Sequence, residues 1–495
     1  MEVCFVQVEA DVSDGMPIFD MVGYLASEVK EARERVRTSL KNSRITIPPK
    51  RITINISPAD IRKEGTYFDL PIAMAVLASL NIIKSSTLKD CLIIGELSLS
   101  GEIKHVNGIL PIISQAAELG IRKCILPAGN CQEAAIVKNM EIRGAHTVGE
   151  LIQYFNGMKS IEPFIEAKNI YEPEQDNKDF SDIQGQEVAK RAAVIAAAGF
   201  HNLLLVGPPG AGKTMLASRI ATILPELTWE ESLEITKIYS IIGQLPQQPL
   251  IRKRPFRSPH HTISSYAMAG GGRIPRPGEV TLAHKGILFL DELPEFQKPV
   301  LEIMRQPLEE GIVHISRVNG TYDYPAHFML VAAMNPCKCG YFPDYDKCSC
   351  TPSQVRRYIG KISRPLLDRI DLCTEVREIP FERLHEQEKQ ETSAQIRDKV
   401  KRARMMQLKR FHGMDLQFNS QIHSEMIHDF CRIDKKEQEF MEQVYHKLDL
   451  TARSYHRILK IARTIADLEG EEEILPKHLS EAVCYRIADK KFWTR

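Results

Sequence analysis

The 495-residue chain carries 65 Lys and Arg against 64 Asp and Glu, a formal net charge of +1, with 43% hydrophobic residues. Its length exceeds what one hydrophobic core usually serves, implying two or three domains, and its neutral balance excludes recognition of a polyanion through a global field, leaving only local patches. The opening segment has no basic stretch followed by an apolar one, and no run of about 18 uncharged apolar residues occurs, so a cytoplasmic protein without membrane contact is expected.

Residues 1–158 alternate short apolar runs (RITINI at 51–56, CLIIGEL at 91–97, KCILP at 123–127) with helical stretches such as 71–80 and 111–119, the pattern of an α/β domain. The polar, acidic stretch 159–180 has two prolines and little periodicity, and reads as a linker. From 181 the texture becomes helix (VAKRAAVIAAAG), strand (NLLLVG), glycine-rich turn and helix (KTMLASRIATIL), which opens a second α/β core predicted over 181–376. Charged helices replace strands over 377–495, so a helical lid is expected there.

The turn between that strand and helix, Gly207, Pro208, Pro209, Gly210, Ala211, Gly212, Lys213 and Thr214, satisfies the phosphate-loop pattern in full. Such a loop wraps phosphates with backbone N–H groups, and the helix N-terminus adds a positive dipole. Lys213 is placed to reach the β and γ phosphates and Thr214 to hold Mg²⁺, so ATP and Mg²⁺ are the expected cofactors. The apolar run GILFL ends in Asp291 and Glu292, the form of a buried strand that delivers carboxylates to the phosphate end of a sheet. Asp291 would act on the metal ion and Glu292 would polarise the attacking water. A later apolar strand ends in Asn335, whose amide suits orientation of water or the γ-phosphate, although an Asn after a strand is also an ordinary turn residue.

Of eleven cysteines, seven are scattered and four crowd between 337 and 350. Cys337 with Cys339 and Cys348 with Cys350 form two close pairs separated by eight residues. Four thiolates there suit a structural Zn²⁺ better than four reduced thiols in a loop, and leave no open coordination position for catalysis. For nucleic acid, the basic segment IRKRPFRSPHH at 251–261 and the cations Lys285 and Arg317 are candidates, whereas 399–410 reads as a solvated lid face. Packing is the favoured role of His260 and His261.

Taken together, GPPGAGKT, RSPHH at 257–261, RPGEVTLAHKGILFLDELPEF at 276–296, AAMNPCKCG at 332–340 and RPLLDRIDL at 364–372 resemble the magnesium-chelatase-like AAA+ ATPases, and within them the YifB/ComM group, over nearly the whole chain. By that resemblance Arg369 would be an arginine finger reaching the nucleotide of a neighbouring subunit. Arg453 matches the sensor-2 position, with Arg457 one helical turn on as a competitor. The segments 62–78 and 95–116 resemble the serine-bearing and lysine-bearing segments of the Lon proteolytic domain (a ribosomal S5 domain 2-like fold). Asp69 and Leu110 stand where its catalytic pair would be, so no activated nucleophile is expected. Members of the group usually carry a further strand or two before EVCFVQVEADVSDGMPIFDMVG, so either the first sheet edge is altered or the chain is truncated.

The resemblance implies a hexameric ring motor, a DNA branch-migration helicase of recombination or natural transformation. Its alternative is a protein-remodelling or magnesium-chelatase-type ATPase acting on a partner protein. An ATP-dependent protease is disfavoured by Asp69 and Leu110. A protein partner for the first domain stays open.

Overall fold

The computed structural model describes residues 3–165, 178–246, 249–272, 275–317, 320–379 and 390–493. Most of the expected linker, 166–177, lies outside the described residues, as does 380–389 near the start of the expected lid. The chain divides into two compact units, one of residues 1–172 with 232–251 and 317–320, the other of the remainder. Among the described residues no helix is long and apolar enough to cross a membrane.

In the first unit, the strand Arg51–Ser57 is central to a three-stranded sheet, antiparallel to Gln7–Ser13 and parallel to Phe19–Val22. Its alternation buries Ile52, Ile54 and Ile56 against the helices Ser27–Asn42 and Asp69–Ser79. A second sheet, all parallel, has Lys123–Pro127 between Cys91–Ile93 and Glu141–Ala145. The stretch after the second unit's first helices returns to this unit: Ser240 Oγ donates to Glu133, whose carboxylate also accepts from Leu110 N at 3.0 Å, and Ser240 O accepts from Gly108 N at 3.0 Å.

Asp69 and Leu110 are both fully buried. The Asp69 carboxylate accepts from Arg35 Nε and Nη2 at 2.7 and 2.9 Å, and from Leu97 N at 3.2 Å. A buried acid with three donors is a structural pin, since removing it leaves a guanidinium and a backbone N–H without their acceptor. Asp69→Ala should therefore cost about 2–3 kcal/mol, seen in calorimetry of the full chain as a drop of roughly 5–10 °C in the transition of the first unit. A melt that overlays the unmutated one would show that the pin contributes nothing.

The second unit is built on a five-stranded parallel sheet in the order Phe256–Arg257, Ile287–Leu290, Met329–Met334, Leu203–Val206, Leu372–Glu375. The three middle strands are apolar on both faces, as a sheet covered on both sides requires. Leu203 and Leu205, Ile287 and Phe289, Val331 and Ala333 point into one core; Leu204 and Val206, Leu288 and Leu290, Leu330 and Ala332 point into another. The first of these cores is continuous with the C-terminal helices Ser393–Arg410 and Ala452–Glu469, through Ile396, Val400, Ile458, Ile461 and Ile465. Polar contacts reinforce that junction. His201 Nε2 lies 2.8 Å from Thr464 Oγ1, and Asp371 accepts from Asn202 N at 3.1 Å beside His201 and Arg457. Burial alone would raise the Asp371 carboxyl, but His201 and Arg457 hold it down to about 2.

Candidate nucleotide site

Parallel strands deliver their C-terminal ends to one edge of the sheet, where open α/β folds place ligand chemistry. The strand Leu203–Val206 ends in the phosphate loop, which turns into the helix Lys213–Ile223 through Gly212 at φ 86°. That left-handed conformation suits a residue without Cβ. Lys213 Nζ donates to Gly207 O and Pro208 O, each at 2.8 Å, and to Asn335 Oδ1 at 3.0 Å. Burial pushes its ammonium below the ordinary value, against the pull of Asp291 and Glu292.

The neighbouring strand Met329–Met334 leads directly to Asn335, and Ile287–Leu290 beyond it leads to Asp291. Thr214 Oγ1 donates to Asp291 Oδ2 at 2.7 Å, while Asp291 Oδ1 accepts from Glu292 N at 2.9 Å. A hydroxyl and a carboxylate in contact at the mouth of a phosphate loop are hard oxygen donors of the kind Mg²⁺ takes, so these residues fit the ion. Glu292 has φ 52°, and a non-glycine residue held there is a strained backbone of the sort found at functional sites. Its carboxylate is exposed and lies 3.5 Å from His261 Nδ1. His261 is thus beside the acid expected to handle water, a neighbour that the adjacent histidines at 260 and 261 did not by themselves disclose.

Arg369 and Arg453 are not part of this cluster. Arg369, only 11% exposed, donates through Nη1 to Pro365 O at 2.6 Å and through Nη2 to Glu309. Arg453, more than half exposed, lies 3.5 Å from the other oxygen of Glu309. The two arginines therefore share one acid, which no motif marks. Arg457, the competing sensor candidate, is buried in the junction, 3.6 Å from Asp371.

The four cysteines converge. Their sulfurs all lie within 4.8 Å of one another, with Cys337 buried and the other three partly so. Of the cations considered for nucleic acid, several are engaged internally. Arg254 pairs with Glu231 at 2.8 Å and also donates to Lys285 O and Pro225 O; Arg257 is bidentate on Glu279 at 2.7 Å; Lys285 is buried. In the 399–410 helix Lys401, Arg402 and Lys409 are exposed, as a solvated face requires, while Val400, Ala403, Arg404 and Gln407 are buried, with the Arg404 guanidinium over the Phe418 ring at 3.5 Å.

Comparison with known proteins covers the same ground. Residues 179–384 match the family described as magnesium chelatase, subunit ChlI, residues 8–130 match subunit ChlI of Mg-chelatase, and residues 390–486 match its C-terminal part. The competence protein ComM of Haemophilus influenzae is 43% identical over 485 residues, 97% of this chain and 94% of that protein. The uncharacterized protein YifB of Escherichia coli is 41% identical over 494 residues, 98% of this chain and 94% of the relative. A magnesium-chelatase 67 kDa subunit of Chlorobaculum parvum is 28% identical over 161 residues, 32% of this chain and 23% of that protein. The chain belongs to the magnesium-chelatase-like AAA+ ATPases, in the group of ComM and YifB.

Proposed function

We propose that the chain is an ATP-hydrolysing motor that assembles into a homo-oligomeric ring, a hexamer, in the cytoplasm and migrates branched DNA junctions in recombination or natural transformation. The observation that carries the reading is the division of the expected site residues into two groups. Lys213 with Asn335 and Thr214 with Asp291 form two hydrogen-bonded pairs at the mouth of the phosphate loop, while Arg369 and Arg453 meet on Glu309. A hydrolytic site whose arginines are engaged elsewhere on the same chain suits completion by a second copy. Mg²⁺, when bound with ATP, would supply positive charge against the negative charge that develops on the phosphates. Thr214 and Asp291 would hold it, Lys213 would cradle the phosphates, Asn335 would keep the Lys213 ammonium in place, and Glu292 would orient and deprotonate the attacking water. Arg369 would serve the neighbouring subunit's nucleotide, and Arg453 would act as the sensor-2 arginine of the lid.

The DNA element rests on the 43% likeness to a competence protein. A specific observation favours a second reading, a motor directed at a partner protein: Arg254, Arg257 and Lys285 are already engaged within the chain, so fewer cations are left for a phosphate backbone. For the first unit we favour a Lon-like fold that recruits such a partner and does not cut peptides, with Asp69 paired and Leu110 buried where a nucleophile and base would be needed.

ATP-dependent strand exchange on a labelled three- or four-strand junction separates the two. Migration that needs both ATP and Lys213 is the expected result. An ATPase that DNA neither stimulates nor couples to strand exchange would transfer support to the protein-directed motor.

A further inference from the structure

The four cysteines do more than crowd together. Cys337 Sγ lies 3.3 Å from Cys339 Sγ and 3.8 Å from Cys348 Sγ, and the latter two are 3.5 Å apart. With Zn–S bonds of about 2.3 Å, the edge of a ZnS₄ tetrahedron is about 3.8 Å, so the sulfurs already stand close to the spacing that ion imposes. The stretch from Cys337 to Cys350 forms neither helix nor strand, and its middle is the polar Asp344, Tyr345, Asp346 and Lys347. The segment packs Phe342 and its cysteines against one core but offers little other apolar area with which to offset its own ordering. Phe342 N points at Cys337 Sγ at 3.4 Å, the kind of backbone donor that orients a thiolate ligand.

The position of the loop gives the site a consequence. It begins two residues after Asn335, the acceptor of Lys213 Nζ. Its Gly340, at φ 93°, passes so close to the phosphate loop that an added Cβ would lie 2.4 Å from Pro209 Cδ. The cysteine loop is therefore tied to the nucleotide site at both Asn335 and Pro209.

We propose that Cys337, Cys339, Cys348 and Cys350 bind one structural Zn²⁺, and that this ion holds the Asn335 end of its strand against the phosphate loop, setting the rate of hydrolysis without touching nucleotide. The second half rests on the reading of 207–214 as the hydrolytic site; the first does not. The residues around the ion are positioning residues, with all four ligand places filled by protein.

The test counts metal and turnover separately on the full-length protein, produced in zinc-supplemented medium. About one zinc per chain is expected in the unmutated protein and none in Cys350→Ser. The variant should lose about tenfold or more in kcat while its KM for ATP stays within about threefold, the signature of a displaced Asn335 with the phosphate cradle intact. Should Cys350→Ser fail to fold, the same measurement is made on unmutated protein stripped with a chelator, freed of it, assayed with Mg²⁺, and then reloaded with zinc, which should restore kcat. A freshly purified chain without zinc overturns the site. Zinc lost with kcat unchanged overturns the coupling. Metal content does not depend on turnover, so one zinc on a chain that hydrolyses no ATP would support the site and count against the motor.

Discussion

Replacing Lys213 with Ala should reduce ATP hydrolysis by at least about a hundredfold, the usual cost of removing one preorganised group aimed at developing charge. The expectation follows from how the ammonium is held. Its three acceptors, Gly207 O, Pro208 O and Asn335 Oδ1, fix it at the mouth of the phosphate loop in a site dry enough to depress its pKa. Charge alone is not sufficient there. Lys213→Arg keeps the charge but replaces a compact ammonium with a planar fork, which cannot meet the same three oxygens, and should recover little of the activity. Binding of a fluorescent ATP analogue should weaken by about tenfold in the Ala variant, since one charge-assisted contact is lost. Turnover within twofold of the unmutated protein in either variant would remove this loop from the chemistry.

Arg369→Ala should be nearly as damaging to turnover, about a thousandfold if the side chain acts as a finger, yet leave nucleotide affinity almost untouched. The separation of the two effects is the informative part. Arg369 is held by Pro365 O and Glu309, and belongs to no bonded group with Lys213, so its loss should not disturb the nucleotide its own chain binds. Because Arg369 is only 11% exposed, a purely structural loss has to be distinguished from a functional one. Mixing the Arg369→Ala and Lys213→Ala proteins does so. Where a Lys213→Ala chain offers its arginine to the intact phosphate loop of an Arg369→Ala chain, a complete site is assembled from two inactive ones, at about a quarter of the contacts in a random ring of equal parts. Recovery of activity on mixing is the expected outcome. If each variant co-assembles and the mixture stays dead, Arg369 does not act across a subunit boundary.

What could be read from the sequence was what is local along it. The phosphate loop and Asp291 are set by strand–turn contexts a dozen residues long, and the structure brings Lys213, Thr214, Asp291 and Asn335 into one cluster. The cysteine spacing likewise pointed to four sulfurs that converge. The contacts that were illegible join residues with no periodic or motif relation. Glu309 lies in a short helix of ordinary composition, and only the fold places it between Arg369 and Arg453. Arg35 sits 34 positions before Asp69 on another helix. Gly340 reads as a turn glycine, and its approach to Pro209 depends on how two loops from different strands stack. Basic residues at 254, 257 and 285 looked available because sequence shows charge but not the acids and carbonyls that fold back on it.

The buried pairing of Asp69 with Arg35 also constrains how this lineage could change. Substituting the acid alone strands a guanidinium that is itself four-fifths covered, and substituting the base alone strands a carboxylate with no exposure at all. Each single step lowers stability by about 2–3 kcal/mol, a large share of the margin on which a domain survives selection. Leaving this arrangement without loss of stability therefore takes two coordinated replacements. Descendants would retain the pair through the thermodynamic cost of leaving it, whatever task the first unit performs.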